Sequence, residues 1–488
     1  MKNKLLYLII TFLLIILIIF GFYYENRKNT LKLERQKYRD ALSFQKTEFQ
    51  ILEKKFQEFL ESRRFVYNAK SYITLEYHKT ENKKKLNFKN VNLSLYEFES
   101  LDPSLPKNPQ YYNIIRSTNY IDYYNDQIYL ITGDGVLFYS ENFKDTYEQV
   151  LNNSLEKIIF KNIPTNITDL ITDENFYDIT YIGIKDVKII KDYLYVSHSN
   201  RVSDDCYNTA ILRSKINKKF LTFEKYFYPD ECVSSDNPFS NNKWSQGGRI
   251  VEMNGKIAMS QGTWGYETKA QDLSSLFGKV IVVEGLNEYK IISYGHRNSQ
   301  GLYYDTANKI LLETEHGPSH GGDEVNVIRI NDKDLNYGWP ISSYGDHVET
   351  TMDGQRRQYR NLSKAHIEKL YKMAPLHKSH SKYGSIEPAK YFKGGVGISD
   401  ITKISTLTNL YAYGTMNESS KIRGDSSLYF ILFDNNYDEV LIDKQFFLNQ
   451  RIRDLTYIDN LDLLIVFQES QNTIGFLDLR KLEDGLKD

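Results

Sequence analysis

Hydrophobic and polar positions follow three rhythms along the chain. The first is unbroken: after MKNK, the run LLYLIITFLLIILIIFGFYY carries no charge from Leu5 to Tyr24. About 20 apolar residues at 1.5 Å rise each reach roughly 30 Å, the thickness of a bilayer core. This predicts a transmembrane helix over residues 1–25. No A-x-A-like cleavage site follows, so the segment reads as an uncleaved anchor. A buried core helix is the rival, and the length of the run counts against it. Lys2 and Lys4 in front are balanced by Arg27, Lys28 and Lys32 behind, so charge alone does not orient it.

The second rhythm is helical. Over residues 26–66, Leu31, Tyr38, Leu42, Phe49, Leu52, Phe56 and Phe59 recur at spacings of three and four, interrupted by Arg35 and Gln45. An amphipathic helix with a partial heptad pattern follows. It is either a stalk that pairs with copies of itself or a single helix packed on the main domain. The third rhythm is that of strands. In LNFKNVNLSLYEF, Leu86 and Phe88, then Val91, Leu93 and Leu95, alternate. This places a short β segment in 67–105, whose affiliation the pattern leaves open.

From about residue 106 to the end, six short apolar runs recur: DQIYLIT (from Asp126), DYLYVSH (Asp192), GKIAMSQ (Gly255), NKILLET (Asn308), TNLYAYG (Thr408) and DLLIVFQ (Asp462). Most follow a turn-prone residue and precede a second strand-like run, such as VLFYSEN, GKVIVVEG or SLYFILFD. The spacing suits one four-stranded unit each, with an insertion between Asn308 and Thr408. The predicted fold is all-β, a six-bladed β-propeller over 106–488. A β-sandwich is the rival, but it rarely uses so many residues in one unit.

Composition refines this picture modestly. The 488 residues carry 14% aromatics, including 39 Tyr, which suits pleated surfaces. A net charge of −1 offers no basic face for nucleic acid. The two cysteines, Cys206 and Cys232, are compatible with one disulfide or with two free thiols.

Three polar stretches stand out as candidate chemistry. YGHRNSQGLYYD brings Arg297, a planar fork suited to carboxylates or quinone oxygens, beside the amides of Asn298 and Gln300. A polar turn between blades is the plain alternative. ETEHGPSHGGDE (Glu313–Glu324) looks at first like a side-chain metal site. Pro318, between His316 and His320, argues against one helix presenting both, so the spacing lacks the zincin context. A Gly-Pro turn instead directs backbone carbonyls outward, toward a hard cation such as Ca²⁺. Asp323 and Glu324 read as solvated or turn-stabilising. In NQRIRD, Arg451 and Arg453 are two apart and face the same side of a strand. They call for an anion, or else pair with Asp454 and other acids.

GHRNSQGL, ETEHGPSHGGDEVNVI, LNYGWPISSYG and NQRIRD, with AQDLSSLFGKVIVVE, occur in the order found in pyrroloquinoline quinone (PQQ)-dependent sugar dehydrogenases. The chain resembles this glucose/sorbosone dehydrogenase family over about residues 110–480. The resemblance implies a six-bladed propeller with PQQ over the channel mouth and Ca²⁺ bridging cofactor and protein. It places Gly317 and Pro318 as backbone ligands of Ca²⁺, Arg297 and Asn298 beside the reactive quinone carbonyl, and Gln300 in the same loop. Arg451 and Arg453 take the place of partners of the PQQ carboxylates, and Lys421, in SSKIRGDSSLYF, is a weaker match to a PQQ-binding lysine. It also implies that the bulk of the chain lies outside the cytoplasm, in the periplasm or extracellular, with a sugar or other small alcohol as substrate.

One departure stands against the pattern. In KWSQGGRIVEMNGKIAMSQGTWG, Ser245 occupies the place of the family's general-base histidine. Thr263 stands where the family has the aspartate of a Gly-Asp pair. A serine with no base beside it does not accept a hydroxyl proton at neutral pH. The base is therefore either relocated, with His198, His316 and His320 as candidates, or lost. Loss would make the chain a ligand- or protein-binding module. A third possibility is a passive head on an assembling stalk, with homo-oligomers formed through 26–66.

Overall fold

The computed structural model describes residues 27, 28, 32, 35, 39, 72–77, 91–98, 118–172, 176, 183–234, 245–318, 321–345, 379–417, 426–469 and 473–487. The chain divides into two compact units, Met1–Phe65 and Val66–Asp488. In the first, Arg27, Lys28, Lys32, Arg35 and Arg39 are helical and exposed. The predicted anchor over 1–25 and the apolar stripe predicted for 26–66 lie outside the described residues. Among the described residues no helix is long and apolar enough to cross a membrane.

The second unit is built from strands. β1 (Tyr72–Tyr77) and β2 (Asn92–Phe98) come first. β3 (Asn119–Tyr124), β4 (Gln127–Thr132), β5 (Leu137–Ser140) and β6 (Lys157–Ile163) follow. Then come β7 (Ile184–Ile190), β8 (Tyr193–Ser203), β9 (Cys206–Lys215), β10 (Glu224–Phe227) and the short β11 (Val233–Ser234). β12 (Gly247–Met253), β13 (Lys256–Gln261), β14 (Lys279–Gly285) and β15 (Glu288–Tyr294) form the next group. β16 (Ser299–Asp305), β17 (Ile310–Glu315), β18 (Glu324–Arg329) and β19 (Lys390–Tyr391) form another. β20 (Ile398–Ile404), β21 (Leu410–Thr415), β22 (Ser427–Phe433) and β23 (Val440–Phe447) precede β24 (Ile452–Ile458), β25 (Leu463–Gln468) and β26 (Thr473–Asp478).

All the ladders are antiparallel, and the order is that of successive meanders: β7 to β10, β12 to β15, β16 to β19 and β20 to β23. The remaining sheet has nine strands, β24-β25-β26-β2-β1-β6-β5-β4-β3. The segment of open affiliation thus joins the last meander to the first: β2 pairs with β26 and β1 with β6. The first strands of the meanders contact one another in a closed succession, β3, β7, β12, β16, β20, β24 and back to β3. The architecture is all-β and propeller-like.

The apolar runs seen in the sequence are the second strands of these meanders. β4, β17, β21 and β25 are buried at every position. Each is covered on both faces by neighbouring sheets, which is why it reads as continuous rather than alternating. Burying each large apolar side chain there contributes about 1.5–3 kcal/mol. Two-residue turns link first to second strands at Asn125-Asp126 and Asn254-Gly255, all with positive φ. That is the conformation asparagine, aspartate and glycine tolerate in tight hairpins. The cores lie between successive meanders, as where Ile121 and Ile128 pack with Ile465 and Phe467 across the junction of last and first.

Candidate functional site

Antiparallel pairing sets the start of each first strand beside the end of its second. Gly247 pairs with Gln261, Ser299 with Glu315, and Ile452 with Gln468. Residues just before the first strands (Ser245, Arg297, Asn298, Arg451) and just after the second (Thr263, His316 to Pro318, Glu469) therefore meet on one rim.

Hydrogen bonds knit this rim together. The Arg297 Nη1 donates to the carbonyls of Gly317 at 2.7 Å and His316 at 3.2 Å. Its main-chain N–H donates to Glu315 Oε1 at 2.7 Å, and its guanidinium lies 5.4 Å over the Trp339 ring. Asn298 Oδ1 accepts from Gly247 N at 3.2 Å and from Gln300 Nε2 at 2.9 Å. Asn298 Nδ2 donates to His316 Nδ1 at 3.2 Å. One buried donor here, Arg297 Nε, has no partner; His316 Nε2 makes no well-formed hydrogen bond, with the Ile398 main chain beside the ring.

The Gly-Pro turn is held by Asp323. Its carboxylate accepts from Gly317 N at 3.1 Å, Gly397 N at 2.6 Å and Ile398 N at 3.1 Å. The Pro318 carbonyl accepts from Gly321 N at 3.0 Å. Asp323 is thus turn-stabilising. Glu324 is buried rather than solvated, because His380 Nε2 reaches its Oε1 at 3.2 Å.

Arg451 and Arg453 do lie on the same side, and both reach Glu469. Arg451 Nε lies 2.9 Å from Oε2, and Arg453 Nη2 lies 3.0 and 3.1 Å from the two oxygens. Burial would raise the Glu469 carboxyl, but Arg453 and then Arg451 hold it down to about 2. Arg453 Nη1 also faces Gln300 Oε1 at 3.4 Å, which ties the arginine pair to the Asn298 loop. Asp454, the neighbour expected to pair with them, faces Arg249 instead at 2.5 Å.

Arg249 plugs the ring of first strands. It is 4% exposed, reaches Asp186 at 3.2 Å, and donates to the carbonyls of Gln300 and Arg453. Burial pushes Asp186 up to about 7 and Asp400 well above its ordinary value, against the pull of Arg249. These aspartates, together with Asp122, link neighbouring meanders. Asp122 accepts from Ile189 N, Asp186 from Ile250 N, Asp400 from Leu455 N and Asp454 from Ile121 N.

Where the resemblance places the base, Ser245 is buried with φ 60°, and its carbonyl accepts from Trp264 N at 2.9 Å. A Cβ on Gly262 would lie 2.0 Å from that carbonyl, so only glycine permits the approach. Thr263 is fully buried with an unpartnered hydroxyl. Trp264 stacks on Tyr207 at 6.1 Å and donates from Nε1 to Thr209. Of the substitute bases, His198 is tied down by the Ser199 carbonyl and the Tyr228 hydroxyl, both at 2.8 Å, and burial pushes it down to about 4. His316 is on the rim. Burial lowers its pKa, and with Nδ1 accepting from Asn298, Nε2 carries the proton. His320 and Lys421 lie outside the described residues. Cys206 and Cys232 form a disulfide, which joins the start of β9 to the segment before β11.

Glu469, Trp339 and the Arg249–aspartate plug escaped sequence reasoning. Glu469 ends an apolar run as FQES, a polar signal readable as an ordinary strand terminus.

Comparisons agree with the geometry. The family profile described as Glucose / Sorbosone dehydrogenase matches residues 177–474. The aldose sugar dehydrogenase YliI of Escherichia coli (strain K12) is 30% identical over 186 residues, covering 33% of this chain and 47% of that protein. The uncharacterized protein slr1608 of Synechocystis is 40% identical over 96 residues, 17% of this chain and 22% of that one. The chain thus spans about half or less of the length of these curated relatives. Among solved structures, a glucose dehydrogenase superposes with TM-score 0.54 at 18% identity, covering 74% of this chain and 96% of that one. The soluble aldose sugar dehydrogenase of Escherichia coli, in its apo-form, gives 0.52 at 19% identity, covering 75% and 96%. These two show the fold alone. With more than half of its length matched by the profile, the chain belongs to the glucose/sorbosone dehydrogenase family.

Proposed function

We propose that this chain is a PQQ-dependent oxidoreductase that oxidises a sugar or related alcohol, with PQQ over the mouth of a six-bladed propeller. The observation that carries the reading is the rim itself. Arg297 Nε is a buried donor without a partner, and it flanks carbonyls and a guanidinium pair suited to an anionic, carbonyl-bearing ligand. Buried polar atoms left unmatched point to a missing partner. The donor set fits PQQ.

When bound, PQQ supplies a two-electron acceptor for the hydride on the oxidised carbon of the substrate. Arg451 and Arg453 would hold its carboxylates, sharing their charge with Glu469. Lys421 is retained as a further PQQ contact. Arg297 and Asn298 would orient its reactive carbonyl. The carbonyls of Gly317 and Pro318 would hold Ca²⁺, an oxygen-seeking cation. Each carbonyl already accepts one hydrogen bond and keeps a second lone pair for the ion. Asp323 keeps the turn in shape, and Trp339 shields one side of the Arg297 guanidinium. Residues 1–25 would anchor the chain, 26–66 would form a stalk able to self-associate, and the bulk would face the periplasm or the exterior.

Proton removal is the weak step. Ser245 offers a hydroxyl and His316 a protonated Nε2, so neither is poised to accept the sugar's hydroxyl proton. A second reading follows from this observation: a propeller of the same family that binds ligand or protein with its chemistry impaired. The test is dye reduction by the full chain in detergent, loaded with PQQ and Ca²⁺, across a panel of aldoses and small alcohols. Reduction with any of them supports the dehydrogenase. Bound PQQ with no reduction by any of them supports the impaired module.

A further inference from the structure

Below the rim, β17 turns Glu313 and Glu315 to the same buried face, two residues apart. On β18, Asn326 pairs with Glu313 and Glu324 with Glu315, so like charges sit directly opposite each other. Glu313 is fully buried and Glu315 is 5% exposed. Against them stands His296, also fully buried, with Nδ1 at 3.0 Å from Glu315 Oε2 and 3.8 Å from Glu313 Oε2. Among the described residues no lysine or arginine side chain forms an ion pair with either carboxylate. His380 pairs directly with Glu324 and acts on Glu315 only at longer range. One imidazole thus faces two carboxylates: Arg297 and His380 act on Glu315 from beyond ion-pair distance, and among the described residues Glu313 has no ion pair other than His296.

Three features say what completes this cluster. The ligand-type atoms of His296, Glu313 and Glu315 all lie within 4.8 Å of one another. Glu313 Oε2 faces His296 and accepts from Asn326, while Oε1, on a side chain with no solvent exposure, has no well-formed hydrogen bond; the Ser299 hydroxyl that acts on this carboxyl is itself left unpartnered. Each of the three is also held from behind. Ser293 Oγ lies 2.8 Å from His296 Nε2, Asn326 Nδ2 donates to Glu313 at 3.0 Å, and Arg297 N donates to Glu315 Oε1. With Ser293 Oγ–H donating to Nε2, an Nδ1–H proton would satisfy Glu315 and leave Glu313 unbalanced, whereas a cation among the three would replace that proton and engage both carboxylates. Outer partners that orient an imidazole and its carboxylates are the usual surroundings of a metal.

We propose that His296, Glu313 and Glu315 form a closed structural site for one divalent first-row transition ion, of the Zn²⁺ or Mn²⁺ class. The imidazole distinguishes it from an all-oxygen Ca²⁺ site. It is separate from the carbonyls of Gly317 and Pro318, and it stands whether or not the rim binds PQQ. Through Arg297 N and Glu315, the ion would fix the start of β16.

The test uses the full chain in detergent, stripped with chelator and then dialysed against Zn²⁺ or Mn²⁺ with Ca²⁺ in excess. Bound metal is read by elemental analysis and the thermal midpoint by calorimetry. The expected result is one transition ion per chain and a raised midpoint. In Glu313→Gln, affinity should fall at least tenfold and the midpoint shift should vanish. Without metal, Glu313→Gln should melt no lower than stripped wild type, since it removes an unbalanced buried carboxylate. That comparison separates lost binding from lost folding. Stripped protein that takes up no ion would overturn the proposal, leaving a proton shared between His296 and the carboxylates. So would equal uptake by Glu313→Gln.

Discussion

The main-chain N–H of Trp264 donates to the carbonyl of Ser245 at 2.9 Å, which locks two segments together where the resemblance places a base and its orienting acid. Neither segment carries a group that accepts a proton. The double substitution Ser245→His with Thr263→Asp should therefore raise sugar-dependent dye reduction by about 10²-fold or more, the usual contribution of a positioned base. Histidine tolerates the positive φ of residue 245 better than most side chains. Unchanged turnover at full PQQ occupancy would show that proton removal does not limit the reaction.

Arg249 is the cation among Asp186, Asp454 and Asp400, at 3.2, 2.5 and 4.0 Å. Arg249→Met removes the ion-paired counter-charge of these buried carboxylates and leaves only the longer-range field of Lys188 on Asp186 and Asp400. It should destabilise the fold by about 3–5 kcal/mol, read as a lower urea midpoint. A loss below about 1 kcal/mol would mean the aspartates are neutral in the folded chain.

Glu469 supplies a pH-dependent increment. Its folded pKa of about 2 lies below the ordinary value, so its stabilisation is present above about pH 4.5 and is lost as pH falls toward 2. A shift of that size is worth about 3 kcal/mol. Wild type should exceed Glu469→Gln by about that amount at pH 7, and in parallel denaturation curves the gap should narrow below about pH 4.5 and close only as pH falls through about 2. The same substitution removes the carboxylate that shares the charge of Arg451 and Arg453, so it should tighten PQQ binding while it weakens the fold.

The Cys206–Cys232 disulfide has a sequence separation of 26 residues. Its removal by Cys206→Ser with Cys232→Ser should cost about 3 kcal/mol by the loop-entropy estimate. Chemical denaturation of the double variant checks this.

What the sequence revealed and what it hid have a common physical cause. The second strands, such as Gln127–Thr132 and Leu463–Gln468, are sandwiched between sheets and so are buried throughout, with continuous apolar centres. The first strands line the ring, where Asp122, Asp186, Arg249, Asp400 and Asp454 bond across to neighbouring backbone. Buried polar residues of that kind read as loop. The rim motifs were legible because Arg297, Asn298, Gly317 and Arg453 sit in short local stretches. Glu469 was not legible, because its partners Arg451 and Arg453 come from another strand. Glu313 and Glu315 were visible within ETEHGPSHGGDE. Their partner His296 stands in a different stretch, before β16, and only the fold brings it beside them.

The central claim is that the rim of Arg297, Asn298, Gly317 and Arg453 is built around PQQ. Titration calorimetry of PQQ into the full chain in detergent, with and without Ca²⁺, tests it most directly. The account predicts saturable binding of one PQQ per chain, strengthened by Ca²⁺ and abolished in Arg297→Leu with Arg453→Leu. Absence of binding heat in both conditions, or binding that survives that double substitution, would contradict it.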